Sequence, residues 1–245
     1  MNDLNKPHFW EESWCAHLES YLKANPRNGI FIKNLLGNKI NSVVEIACGS
    51  SRDTIYLAME GYKSTATDSD AKTITYLTEK FENVENLNYQ TANAFNLPFD
   101  DSSFDLVCHN GFFIYFDSNK DLFRLLKEQE RVAKKYIWIL VHNQLNKKLV
   151  SQFEKLSQED KLYDIRFFTP NELEQLVYDS HIKLKQMKIL KFGSSGKLGV
   201  DYWLFRFPVK NLLSRKILEN IAPKIYQSQA WEQTERVACL IELDK

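Results

Sequence analysis

No apolar run in this sequence approaches the roughly 20 residues that a membrane-spanning helix requires. The opening residues 1–6, Met-Asn-Asp-Leu-Asn-Lys, lack the apolar core of a secretory signal. Cysteine is sparse: Cys15, Cys48, Cys108 and Cys239 stand far apart, and no Cys-x-x-Cys occurs. That spacing argues against a zinc site and against a disulfide framework, so no metal is expected. Neither sign of charge prevails, with 32 basic against 32 acidic residues, so no global field draws nucleic acid or an anionic membrane. Internal repeats and low-complexity linkers are also missing. These absences point to a cytoplasmic chain with no nucleic-acid or membrane partner; a monomer or homodimer is expected.

What is present is an ordinary globular composition, 44% hydrophobic and 26% charged over 245 residues, enough for one large α/β domain or two small ones. Strand-like runs alternate with helical ones, a pattern that gives a parallel-rich sheet between helices. Residues 43–53, Val-Val-Glu-Ile-Ala-Cys-Gly-Ser-Ser-Arg-Asp, read as a buried strand, a turn of small residues and a helix start. Ser51 is expected to cap that helix, and Asp53 sits where the helix dipole favours negative charge. A second strand at 62–67 ends at Asp68, 19 positions beyond Gly49. In dinucleotide folds an acidic residue at about this distance accepts hydrogen bonds from ribose hydroxyls. Asp68 could instead cap the helix expected at 70–81, but Ser69 and Asp70 are free for that duty.

Further strands are expected at 87–91, 104–109, 136–141, 182–190 and 237–243. Helices are expected at 8–24, 30–36, 52–60, 118–133, 145–156, 170–180 and 209–222. Thr169, Pro170 and Glu172 have the spacing of a capping box at the start of the 170–180 helix.

Two passages carry a family resemblance. Glu45-Ile46-Ala47-Cys48-Gly49-Ser50-Ser51 is similar to motif I of the class I S-adenosylmethionine (SAM) methyltransferases, whose usual form is acidic-x-Gly-x-Gly-x-Gly; one glycine of three is kept. Leu97-Pro98-Phe99 and Ser103-Phe104-Asp105-Leu106-Val107 match the family's entry into its fourth strand directly, with Asn93 where aspartate is usual. The resemblance covers about residues 40–190 and the last strand. It implies a Rossmann-like α/β fold: a seven-stranded, mostly parallel sheet with helices on both faces and an antiparallel last strand. It implies SAM as cofactor and S-adenosylhomocysteine (SAH) as product. Residue by residue it assigns Glu45, Ala47 and Gly49 to the methionine side, Asp68 to ribose, and Asn93 and Ala94 to adenine. Arg52, beside the methionine end, is a candidate partner for the methionine carboxylate or else one side of a surface salt bridge.

The acceptor side is expected beyond the fourth and fifth strands. His109 and His142 end those strands, so each is a candidate base, and His109 also a cofactor neighbour. If the acceptor is a hydroxyl, rate is expected to rise through a pKa near ~6.5. Asn110, Tyr115 and Asn143 are candidate substrate contacts. Residues 1–38 are expected to form a helical lid carrying Trp10 and Trp14, on a methyltransferase domain spanning 39–245. Within that domain, 193–235 is expected as a substrate-side insertion bringing Tyr202 and Trp203 to the acceptor. The resemblance thus implies methyl transfer to a hydroxyl or amine of a small molecule; no Asn-Pro-Pro-Tyr amine motif follows strand four. Two other readings stay open: a non-catalytic member that binds SAM or a partner, and a nicotinamide oxidoreductase, against which the 93–107 passage argues.

Overall fold

The computed structural model describes residues 17–194 and 212–245. Seven strands are present among them: β1 (Ser42–Ile46), β2 (Lys63–Asp68), β3 (Leu87–Thr91), β4 (Phe104–Asn110), β5 (Ala133–His142), β6 (Leu184–Ser194) and β7 (Thr234–Leu243). They form one sheet in the order β3-β2-β1-β4-β5-β7-β6. The first five strands of that order run parallel, while β7 is antiparallel to both β5 and β6. The helices are α1 (17–23), α2 (Arg27–Leu36), α3 (Arg52–Met59), α4 (Ala71–Lys80), α5 (Asn119–Val132), α6 (Lys147–Leu156), α7 (Pro170–Asp179) and α8 (Leu212–Ser228).

Parallel strands are covered on both faces, so their sequences are apolar without alternation. Val43, Val44 and Ile46 of β1 and the run from Ile137 to Val141 of β5 are fully buried. One face packs against Ile30, Phe31 and Ile32 of α2, Tyr56 and Leu57 of α3, and Ala222 and Tyr226 of α8. The other face holds Leu122, Leu125 and Leu126 of α5 with Leu173, Leu176 and Val177 of α7. The capping box at Thr169 and Glu172 is complete. Among the described residues no helix is long and apolar enough to cross a membrane.

Two local expectations change. Ser51 caps nothing through its side chain; it lies in the left-handed region at φ 56°. Strand β6 runs on to Ser194 because β7 offers partners that far, Phe192 opposite Arg236 and Ser194 opposite Thr234. Gly193 suits this extension: at φ +73° a Cβ would sit 2.8 Å from Glu235 Oε2.

The order of strands reverses between β1 and β4. In open α/β sheets ligands bind beyond the strand carboxyl ends at such a point. Glu45, Ala47 and Asn110 lie there.

Candidate functional site

The turn from β1 into α3 has three left-handed residues, Ala47 (φ 50°), Gly49 (φ 51°) and Ser51 (φ 56°). These are the alternate positions at which the glycine-rich pattern places its glycines, and the backbone shows why. A left-handed L-residue costs roughly 1–2 kcal/mol against the right-handed form. The chain keeps the turn at that cost, held by hydrogen bonds from Cys48 N–H to the Thr67 carbonyl (2.9 Å) and from Ser51 N–H to the Cys48 carbonyl (2.8 Å).

Asp68 closes the turn from the next strand. Its Oδ2 accepts from Gly49 N–H (3.0 Å) and its Oδ1 from Asp70 N–H (3.1 Å). Asp70, not Asp68, caps α4, accepting from the N–H groups of Lys72 and Thr73. Burial pushes the Asp68 carboxyl above the ordinary range, partly countered by those backbone donors. Below the turn, Glu45 is buried and accepts from the Thr54 hydroxyl. Burial, and then the charge of Asp53, push its carboxyl up to about 8.

A polar chain runs across the sheet from this floor. Asp53 accepts from Gly29 N–H (2.9 Å) and from the Asn110 amide (3.0 Å), with Arg52 Nε 3.7 Å away. The Asn110 oxygen in turn accepts from Arg236 Nη1 (2.7 Å). Arg236 Nε donates to Glu235 Oε1 at 3.3 Å, while Arg27 Nη2 reaches both oxygens of that carboxylate at 3.0 and 2.9 Å. Burial works against ionisation of Glu235, but Arg27 and Arg236 outweigh it and hold the carboxyl down at about 2.

Glu45, Arg52, Asp53, Asp68, Asn110 and Arg236 border one cleft enclosing about 1070 Å³ of empty space, its open mouth included. Of the residues expected in the site, Glu45, Ala47, Arg52, Asp68, Asn110, Tyr115 and His142 line it. Gly49 contributes through its N–H to Asp68. Asn93 is exposed outside the lining, its side-chain oxygen accepting from Phe95 N–H (2.9 Å). Ala94 is likewise outside, packed against the α5 face of the core. Trp10, Trp14, Tyr202 and Trp203 lie outside the described residues. None of residues 193–194 and 220–235, the part of the expected insertion whose side chains are described, lines the cleft.

Two expectations are corrected. His109 points away from the cleft, fully buried against Phe113 at 4.2 Å between ring centroids, and burial drops its pKa to about 3. Neither ring nitrogen has a hydrogen-bond partner among the described residues. Asn143 is also fully buried and spent on structure. Its amide donates to the carbonyls of Trp231 (2.7 Å) and Thr234 (3.0 Å), and its oxygen accepts from Leu145 N–H (3.0 Å).

The lining also holds residues that the sequence did not single out for it: Tyr21 on α1, Phe112, Phe153, Leu162, Tyr163, Ile165 and Arg236. Tyr21 rests under the Arg52 guanidinium, 5.9 Å from its ring centroid. Asp53 could have been found, because an acid in the first turn of the helix after β1 faces the strand ends. Arg236 carried no local signal. It reaches the cleft only because β7 pairs it with His142.

Residues 44–141 match a family model described as a methyltransferase domain. That stretch of the chain is a methyltransferase domain. Solved structures share its fold at low identity. A SAM-dependent methyltransferase from Thermotoga maritima, described as a possible histamine N-methyltransferase, is 17% identical with TM-score 0.63, over 97% of this chain and 99% of that one. A SAM-dependent methyltransferase from Archaeoglobus fulgidus is 19% identical with TM-score 0.58, over 91% and 97%. A geranyl diphosphate C-methyltransferase from Streptomyces coelicolor, solved with SAH, is 13% identical with TM-score 0.51, over 83% and 70%. A comparison with curated proteins found no match.

SAM is the cofactor of this domain, and the cleft fits it. Each Asp68 oxygen accepts one backbone N–H, which leaves acceptor capacity for a pair of hydroxyls. Arg52 Nε is buried with no hydrogen-bond partner among the described residues, a donor suited to a carboxylate. The methyltransferase turn itself yields a test. Ala47→Gly and Ser51→Gly relieve the left-handed strain, less about 0.5–1 kcal/mol for added unfolded-state freedom. Each is expected to raise stability by roughly 0.5–1 kcal/mol, read as a melting-temperature rise of about 1–4 °C. Destabilisation by both would show that the side chains, not the backbone, set this turn.

Proposed function

We propose that this chain is an enzyme that transfers the methyl group of SAM to an oxygen or nitrogen of a small-molecule acceptor. The observation that carries the reading is the two-part cleft at the β1/β4 switch. Its floor is acidic (Glu45, Asp53, Asp68) and its far end aromatic (Phe112, Tyr115, Phe153, Tyr163). Aromatic walls with a few polar groups typify small-molecule pockets.

In this reading Asp68 accepts the two ribose hydroxyls, the turn at Ala47 and Gly49 with Glu45 beneath it receives the methionine portion, and Arg52 pairs with its carboxylate. Asn93 and Ala94, in the turn after β3, border the adenine; β3 ends beside Asp68, with Ala92 N–H bonded to the Asp68 carbonyl at 2.8 Å. Bound SAM supplies a methyl group already activated by its sulfonium. The protein's share is then alignment, which at best is worth about 7–11 kcal/mol of barrier. Tyr21 and the rest of α1 close over the mouth as a lid, tied down by His17 to Asp160 (3.1 Å) and by Glu19 to Lys80 (2.5 Å).

His142 remains the candidate proton acceptor, but not one that titrates near neutrality. Burial first, and then the Arg236 charge, hold its imidazole well below the usual range. The rising limb near pH 6.5 is therefore not expected of it.

The test is SAM and SAH binding by calorimetry, followed by incubation with methyl-labelled SAM and a metabolite extract. Saturable binding with label appearing in a small molecule is the expected result. The strained Ala47 and Ser51 favour a second reading, a SAM-binding member without turnover. Tight binding with no labelled product would support it, and no binding of either compound would sink both.

A further inference from the structure

The far half of the cleft has a charge of one sign. The lining carboxylates Glu45, Asp53 and Asp68 all come from the β1–α3–β2 side. From the end of β4 onward the lining consists of uncharged side chains and Arg236. We propose that this half binds an acceptor bearing a carboxylate, with the Arg236 guanidinium as its anchor and His142 beside it as part of the wall. The proposal rests on the methyl-transfer reading above and names the substrate class for that site.

Register places the pair. His142 and Arg236 are direct partners across β5 and β7, so their side chains leave the same face of the sheet. Cross-strand partners have Cβ atoms about 4.5–5.5 Å apart. Arg236 is oriented by fixed neighbours: Nη1 donates to Asn110 (2.7 Å), which Asp53 holds in turn, and Nε donates to Glu235. Nη2 makes no hydrogen bond among the described residues, and the side chain keeps 17% of its exposure in the cleft it lines. The Nε contact to Glu235 is long, 3.3 Å, because that carboxylate lies closer to Arg27. Arg236 is thus a guanidinium already aimed, with donors in hand.

The donors that remain suit one planar carboxylate. A guanidinium fork matches its two oxygens, and Arg236 is the single cation in this half of the lining, enough for one negative charge. Glu235 is shared between Arg27 and Arg236, so it does not cancel both cations, and a cationic amine would still meet net positive charge in a partly buried site. Arg236 is also set apart from the cofactor end, since Arg52 already stands on the turn that follows β1.

The test uses three probes with the same phenol ring: 4-hydroxybenzoate, 4-hydroxybenzamide and tyramine, each titrated calorimetrically into the SAH-saturated protein. The carboxylate is expected to bind at least about tenfold tighter than the amide and the amine. In Arg236→Gln the carboxylate should fall to the level of the amide, with SAH affinity within about threefold of wild type. Arg236→Lys keeps a charge but loses the fork, so part of the preference survives; it decides the matter if the glutamine variant does not fold. Equal or tighter binding of the amide or amine would overturn the proposal. So would no detectable carboxylate binding up to about 10 mM. A variant that weakens SAH about tenfold while keeping the carboxylate preference would move Arg236 to the cofactor. If SAH itself fails to bind wild type, it is the methyl-transfer reading that falls. The ratio of carboxylate to amide affinity on the unliganded protein then still decides the Arg236 site.

Discussion

Replacing Asp68 with alanine is expected to weaken SAM binding at least about tenfold, and to destabilise the protein as well. The first effect follows from hydrogen bonds to a charged group, worth roughly 1.5–3 kcal/mol, where about 1.4 kcal/mol is tenfold in affinity. The second follows from the structure. The same carboxylate accepts from Gly49 N–H and Asp70 N–H, and Gly49 is buried. Leaving a buried donor unpaired costs about 1–3 kcal/mol. Asp68→Asn separates the two effects, because it keeps one acceptor oxygen for the turn while removing the charge. Affinity should fall in both variants and stability mainly in the alanine. Unchanged SAM affinity in a folded Asp68→Asn protein would confine Asp68 to supporting the turn.

That double duty bears on what was legible beforehand. The choice between Asp68 and Asp70 as helix cap could be made from sequence, since one carboxylate cannot serve both ends, and Asp70 is the cap. The passage that identified the family was read correctly for a different reason than cofactor contact. Leu97 and Phe99 are locked through their backbones: Glu128 accepts from Leu97 N–H (2.6 Å), and Arg131 donates to the carbonyls of Leu97 (3.0 Å) and Phe99 (2.7 Å). Asp105 accepts from the N–H groups of Asn41 (2.7 Å) and Ser42 (3.3 Å), fixing the start of β1. The pattern marks how β4 is seated beside β1.

The histidines show where sequence stops. His109 and His142 both close strands, yet only His142 lines the cleft, while on β4 the cleft residue is Asn110. Which of two adjacent residues faces the ligand is a question of strand parity. Parity is read from alternation of polar and apolar residues, and strands buried on both faces erase it. Arg236 was illegible for another reason. Its position depends on an antiparallel pairing with a strand nearly a hundred residues earlier, and pairing partners leave no local mark.

The second large effect expected is a pH dependence of SAM affinity that Glu45 controls. Burial and the neighbouring Asp53 hold the Glu45 carboxyl at about 8 in the ligand-free protein, so near pH 6 it is protonated. A raised carboxyl pKa means that the folded chain binds more protons than the unfolded one between the ordinary value, 4.5, and about 8. This group's contribution to stability is therefore full below pH 4.5 and is lost as pH rises to about 8. Bound SAM brings positive charge to the cleft that Glu45 lines, which favours the ionised form and lowers its pKa. Binding then releases a proton, and affinity rises with pH up to about 8, by as much as tenfold per unit where release is complete. Between pH 6 and 8 SAM is expected to bind about 10–100-fold tighter at the upper end. Glu45→Gln mimics the protonated acid at every pH. It should bind with the wild type's low-pH affinity and show none of this slope, so the difference between the two proteins removes the titration of SAM's own amine. Calorimetry in buffers of different ionisation enthalpy counts the released proton directly. A slope shared by wild type and Glu45→Gln would place the titrating group elsewhere, with Asp68, whose carboxyl burial also pushes up, the next to replace.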